Sequence, residues 1–331
     1  MPNVITLGGS ASTGSGYTFG DLIEKVYRRV AAGVSETTIQ LATPGTLDTT
    51  TVTFAVTGPQ VNQCAVPGAL LAVDMEIMLV LSYQAPNITV ERGYLGSTAG
   101  THATGSLMYR NPRISRYDIG VAINDDLNDL SSHGLYRVGT ATITYNPVFE
   151  GYDLGDLPSN FLEILELRYQ LPVPNKNYPA ITRWKVNRYQ NLSDFPSGNA
   201  LLLYEGAYPG LPINVTYSAP FIPFVDLSDN ICDTPTTNDP APPYNGYTAS
   251  SVPNLPPTAV DIPPLGAAVD LISSQEPARS NFAIQPDPRK AQDVPPLAIM
   301  NSTQYLEKKR MQRIEAEALK LRLQYTKSPH R

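Results

Sequence analysis

The chain is poor in cysteine, histidine and charge. Two cysteines, Cys64 and Cys232, and three histidines stand among 331 residues. That is too few soft ligands for a cysteine-rich metal site and too few thiols for a disulfide scaffold; one bridge is the most they allow. Charged residues make up 16%, below the roughly 25% of an average globular protein. Hydrophobic residues, at 42%, still supply a buried core and exclude global disorder. No run approaches the ~18 uncharged apolar residues of a membrane span. The richest stretch, 69–81, is broken by Asp74 and Glu76. The opening MPNVITLGGSASTGSG has neither a basic region nor a long apolar run, so no signal peptide is expected there and synthesis in a cytoplasm is. The Asn-x-Ser/Thr triplets at Asn87, Asn191, Asn214 and Asn301 then carry little weight.

Signatures of catalysis are equally thin. There is no GxxxxGK(S/T) loop, and the glycines of GGSASTGSG follow no strand, so nucleotide binding has no support. A Ser–His–Asp triad would have to use His102, His133 or His330, and no GxSxG elbow exists. Glu163, Glu166, Asp153 and Asp156 are the carboxylates from which a glycosidase pair would be drawn, and Tyr169, Trp184, Tyr189 and Tyr204 the aromatics of a sugar platform. Exposed strand faces and sandwich rims carry both residue types routinely. No zinc finger or basic aromatic RNA motif appears. The expectation is that the chain is not an enzyme and holds no cofactor or metal.

What is present is 31 Pro, 23 Gly and 19 Tyr, the composition of a β-rich, loop-rich chain. Thr18-x-x-Asp21 starts a short helix with Leu22, Ile23, Val26 and Val30 at helical spacing. From Thr37 the period switches to two: TIQLAT, TVTFAVTG, ALLAVDMEIMLVLSY, NITVERGYL and GSLMYR read as strands of a small antiparallel sheet or barrel. Ser115-x-x-Asp118 starts a second helix with Ile119, Ile123, Leu127 and Leu130 on one face, ended by Gly134. FLEILELRYQL, ITRWKVNRYQ, ALLLYEG and INVTYSAPF predict a β-sandwich, jelly-roll-like. Phe161, Ile164 and Leu167 alternate poorly, which suits a bulged strand. Residues 235–296 hold 14 of the prolines, so an extended arm is expected, with one or two helical turns at GAAVDLIS. The last element, about 302–325, is a helix with Met311, Ile314, Ala318, Leu321 and Tyr325 on its seam.

The fold class expected is therefore mainly β with flanking helices. The expected division is 1–136 (helix, barrel-like sheet, helix), 137–229 (sandwich), 230–300 (proline-rich arm) and 301–331 (basic helix). Net charge is −6, yet from residue 301 onward eight Lys or Arg face three Glu. That +5 helix on an acidic body predicts an electrostatic contact with an acidic partner.

The stretch ERGYLGSTAGTHATG (91–105) resembles the motif V-x-R-G-x-x-G-T-x-A-x-x-H-x-x-G of head-to-tail connector, or neck, proteins of tailed bacteriophages. TFGDLIEKVYRRV is similar to the family's leading helix, AVDMEIMLVLSY to its V-D-x-E strand, and YDIGVAINDDLNDL followed by GLYRV to the helix and strand after the motif. DPRKAQDVPP and the terminal helix look like its arm and tail. The likeness covers most of the chain apart from about 230–260, and Ser97 stands where the family more often has Thr. Gly93, Gly96 and Gly105 read as tight-turn positions. Arg92 and His102 are expected to pin that loop through carbonyls or Glu91.

The resemblance implies a structural virion protein of the neck, assembled in the host cytoplasm. It would form a ring, twelve copies in the family, that joins the portal to the tail or the next neck protein. Double-stranded DNA would pass through its channel without sequence-specific contact, and no membrane is involved. Lys308, Arg310, Met311, Arg313, Ile314, Leu321 and Tyr325 are the residues expected to dock on the portal. Removing 302–331 is then expected to leave a folded body. Two other readings are a virion carbohydrate-binding or fibre-anchoring module and, third, a cell-wall glycosidase.

Overall fold

A computed structural model of the chain describes residues 18–31, 36–43, 45–146, 148–169, 179–204, 210–229, 254–283 and 298–325, with only the backbone described at 275–283 and 298–301. The architecture is mainly β with flanking helices, in two units. One comprises the described residues of 20–136 and 261–326, the other those of 137–260.

In the first unit, α1 (Phe19–Val30) leads into β1 (Thr38–Leu41), β2 (Thr46–Leu47) and β3 (Thr53–Thr57). After the single turn α2 (Val61–Cys64) come β4 (Leu70–Val73), β5 (Glu76–Gln84), β6 (Asn87–Glu91), β7 (His102–Ala103) and β8 (Leu107–Arg110). Six of these close a barrel in the order β1-β3-β6-β5-β4-β8, and β2 pairs β7 beside it. Closure removes the exposed edges that an open sheet would leave. In β3 the alternation of Thr53, Phe54, Ala55, Val56 and Thr57 puts Phe54 and Val56 into the core with Ile39, Leu71, Met78, Ile88 and Met108. Cys64 is a free thiol in that core, pushed up by burial; Cys232 lies outside the described residues.

Ser115 caps α3 (Arg116–Asp129) through a reciprocal box with Asp118, two otherwise orphaned donors satisfied at once. Ile119, Ile123 and Leu127 are fully buried along one face, and Leu130 continues them in the following 3₁₀ turn, which Gly134 ends at φ 80°. Arg116 ties α1 to the barrel: its Nε lies 2.7 Å from Glu24 Oε1, and its guanidinium stacks over Tyr27 and Tyr109.

The expected extended arm is corrected here. Residues 263–283 form a 21-residue helix, α4 (Pro263–Ala283), rather than a turn or two. Pro263 and Pro264 fill its first turn, where a missing N–H costs nothing. Leu265, Ala267 and Ala268 are buried. The terminal helix is α5 (Ala298–Gln324); it packs against α4 and near the end of α3, so it belongs to the first unit and is no separate element. The remainder of the expected arm, with DPRKAQDVPP, lies outside the described residues.

The second unit holds β9 (Arg137–Thr144), β10 (Gly151–Asp153), β11 (Glu163–Tyr169), β12 (Trp184–Arg188), β13 (Asn199–Leu203) and β14 (Pro212–Ala219). They form two three-stranded antiparallel sheets, β10-β13-β12 and β11-β14-β9. Residues from both, among them Tyr152, Ile164, Leu167, Leu201 and Val215, share one core. The bulge in β11 falls between Ile164 and Glu166, where the alternation breaks. Gly139 lies under the Tyr217 ring: a Cβ there would be 2.4 Å from Cζ. Asn254 is held by two 3.0 Å bonds, accepting from the Ile222 N–H and donating to its carbonyl.

Candidate functional site

The loop carrying the quoted motif closes on one buried carboxylate. A two-residue turn joins β4 to β5, with Asp74 at φ 49°, a conformation short polar residues tolerate. Glu76 follows at the start of β5 and is 1% exposed. Arg92, at the end of β6, faces it: Nε donates to Oε1 at 2.6 Å and Nη2 to Oε2 at 2.8 Å. The same guanidinium donates to the carbonyls of Asp48 (2.8 Å), Thr51 (2.9 Å) and Gly100 (2.7 Å). All five donors of the arginine are thereby used.

His102, on β7, sits between the acids, Nε2 at 2.8 Å from Glu76 Oε2 and Nδ1 at 2.8 Å from Asp74 Oδ2. Burial opposes its charge, but the bonds to Asp74 and Glu76 prevail and raise it to about 9. Burial would likewise raise Glu76, yet the bonds from Arg92 and His102 hold it down at about 2. Near neutral pH His102 is therefore a cation held against an ionised Glu76. Backbone N–H groups of Gly93 (3.1 Å) and Gly100 (2.9 Å) complete the shell of Glu76. The expected pinning partner Glu91 is corrected to Glu76, while the expected carbonyls are used. Gly93, Gly96 and Gly105 have φ of 63°, 84° and 86°; a Cβ on Gly93 would lie 2.9 Å from the Ser97 carbonyl. Ser97, buried, accepts from the Ile77 N–H and donates to the Tyr94 carbonyl, roles that need a hydroxyl whether Ser or Thr carries it.

The helical residues divide differently from expectation. Ile314 is 1% exposed, packed inside the unit, and Arg310 is 9% exposed. Arg310 lies 2.7 Å (Nε) from Asp126 Oδ1 and 2.8 Å (Nη2) from Asp129 Oδ2. Burial drives the Asp126 carboxyl up to about 7, with Arg310 pulling against it. Arg310 and Ile314 are thus engaged within the chain. Arg313 pairs with Asp261 at 3.0 Å; Met311, Leu321 and Tyr325 are half-buried, and Lys308 is exposed. Removing 302–331 would uncover the surface of α4 on which α5 packs.

The candidate acids of the second unit do not gather. Glu166 pairs with Arg168 at 2.7 Å, and Asp153 accepts from the N–H and hydroxyl of Ser197. Trp184 lines a groove of about 540 Å³ with Phe161, Leu162, Glu163 and Arg188; Tyr189, 96% exposed, and Tyr204 are not in its lining. His133 meets Asp129 at 3.3 Å, and His330 lies outside the described residues. Among the described residues no group of three His, Cys, Asp or Glu is arranged to hold a metal ion, and no helix is long and apolar enough to cross a membrane. Sequence reading missed Asp126 and the roles of Asp74 and Glu76. Their signal was there: charges inside otherwise apolar patterns. A comparison with protein-family models finds no match, and neither does one with curated proteins.

Proposed function

We propose that the chain is a structural virion protein of the head–tail neck of a tailed bacteriophage. It assembles as a ring of its own copies, with portal on one side and tail or next neck protein on the other. Double-stranded DNA passes through the ring without sequence-specific contact. The observation that carries this reading is the meeting of two separately resembling segments, AVDMEIMLVLSY and ERGYLGSTAGTHATG, around the buried, multiply bonded carboxylate of Glu76. The residues that carry the likeness are thereby spent on architecture, which suits a scaffold and leaves no free base or nucleophile among them. The finer expectations, a jelly-roll sandwich and a role as adaptor, belong to the same proposal.

The test is the solution mass of the purified chain, alone and mixed with a portal ring. Rings, or assembly upon the portal, are expected. A stable monomer indifferent to the portal overturns the reading. The Trp184 groove favours a second reading, a carbohydrate-binding or fibre-anchoring module. A glycan array probed with the full chain gives signal on that reading, and Trp184→Ala removes it.

A further inference from the structure

Helix α5 has two faces, one of them buried within its unit and the other exposed. Arg310, Ile314, Glu317 and Ala318 are buried. On the opposite side Tyr305, Lys309, Gln312, Ala316, Leu319 and Leu323 are all exposed. Their spacing alternates four and three, the seam of a helix that packs lengthwise on another surface. Tyr305 is 67%, Leu319 57% and Leu323 71% exposed. Lys308 and Lys309 are exposed beside the upper part of the seam.

The same unit carries a surface of the complementary kind. Beside α3 and α4 lie two adjoining hollows of about 330 and 410 Å³ that share Ala122, Asp125 and Asp270; the first is also bounded by Glu307 and Arg310 of the same copy's α5, and the second, which α5 leaves open, by Arg113. Val121, 40% exposed, and Val269 give them an apolar floor. Their rims are acidic, with Asp125 and Asp270 exposed. Asp126, whose side chain is 7% exposed, lines the first hollow together with Arg310, and among the described residues neither Asp126 Oδ2 nor Arg310 Nε has a hydrogen-bond partner. The exposed carboxylates of Asp125 and Asp270, shared by both hollows, are what would attract a cation. The stretch from Lys309 to Leu323 is also as long as α3, about 21 Å at the rise of an α-helix.

We propose that the outer seam of α5 in one copy lies in the α3–α4 groove of the next copy, Leu319 and Tyr305 on the apolar floor and Lys309 against Asp125 and Asp270. The mode is an amphipathic helix in a groove. Because seam and groove are different surfaces, the contact is head-to-tail, the class that closes into rings. The inference rests on the ring proposed above and names the surfaces that build it.

The experiment is sedimentation velocity of the full chain across concentration, with Lys309→Glu, Asp125→Lys and an equimolar mixture of the two. Wild type is expected to form a closed oligomer. Each single variant should weaken association about tenfold or more, with unchanged melting because both sites are exposed. The mixture should reassemble, since each defective seam meets a defective groove of reversed charge. Leu319→Asp should dissociate the oligomer in either background. Rings formed equally by wild type and every variant overturn this interface while leaving the neck reading intact. A wild-type chain that stays monomeric at its highest soluble concentration overturns the interface, and the portal mixture then decides the neck reading separately. Variants that lose portal binding but still form rings assign the seam to the portal instead, which also overturns the proposal.

Discussion

Glu76 and Asp126 are both carboxylates drawn out of water within one unit, and their surroundings set them apart. Glu76 accepts from Arg92, His102 and two backbone N–H groups, and stays ionised far below the usual range. Asp126 has Arg310 alone, shared with Asp129, and its second oxygen is unbonded. Desolvation prevails there and the carboxyl climbs to about 7. Burying a charge is tolerated only when the lost hydration is replaced bond for bond. The barrel loop achieves that replacement; the helical layer achieves half of it. The first cluster is therefore a permanent fastening, whereas the second sits where a further cation could still improve the structure.

The sharpest way to break this contrast is Arg92→Ala. It strips five hydrogen bonds and leaves the buried Glu76 with His102 and the two backbone N–H groups of Gly93 and Gly100 but no guanidinium, at a cost of about 4 kcal/mol. That is a large part of a typical 5–15 kcal/mol stability, and it would show as a fall in the urea midpoint. Arg92→Lys keeps the charge but has three donors for five acceptor contacts, so it should restore less than half of the loss. A cost below about 1 kcal/mol for Arg92→Ala would mean that the cluster does not hold the loop.

Acidity separates the two regions next. His102 carries a pKa raised from 6.5 to about 9, so its contribution is complete below pH 6.5 and is lost as pH rises through 9. Asp126 is raised from 3.8 to about 7, so its effect is complete below pH 3.8 and is lost as pH rises through 7. Glu76, lowered from 4.5 to about 2, contributes fully above pH 4.5 and loses that as pH falls through 2. Each swing is on the order of 3 kcal/mol. Unfolding free energy measured from pH 4 to 10 should therefore decline in two stages. His102→Gln should flatten the upper stage and Asp126→Asn the lower. A single stage removed by both variants would show that the clusters are not independent.

Close packing explains why so little surrounds Asp126. A Cβ on Gly266 of α4 would fall 1.6 Å from Asp126 Oδ1, so the two helices meet backbone against carboxylate. Gly266→Ala should force them apart at about 2–3 kcal/mol. In an Asp126→Ala background the same change should cost far less, a coupling that a double-mutant cycle reads directly.

The legible parts of this fold were those written in local pattern. The strands of the barrel announced themselves by period two, the Ser115 cap by its spacing to Asp118, and the β11 bulge by the broken alternation at Ile164. What stayed hidden was non-local. Proline density argued against helix in 263–283, because two prolines at a helix start look in sequence like two prolines in a coil. The apolar seam of α5 was legible as a seam, but nothing local says that its partners are α3 and α4 of the same chain. Glu91 was the sequence neighbour of Arg92, and only the barrel's register brings Glu76 to it instead.

The smallest effect tests whether exposure, and not pairing, governs these costs. Arg313 and Asp261 form an ion pair at 3.0 Å, close to the lengths inside the clusters, but the two side chains are 35% and 40% exposed. Water screens the pair and competes for both partners, so Arg313→Ala should cost under about 1 kcal/mol. The loss should shrink further in 0.5 M salt, where the Debye length is only a few ångströms. The cost of Arg92→Ala should barely respond to the same salt, because its partners lie where ions do not reach. If both variants lost stability alike and both responded to salt, the contrast between a fully bonded interior and a screened surface would fail at its simplest point.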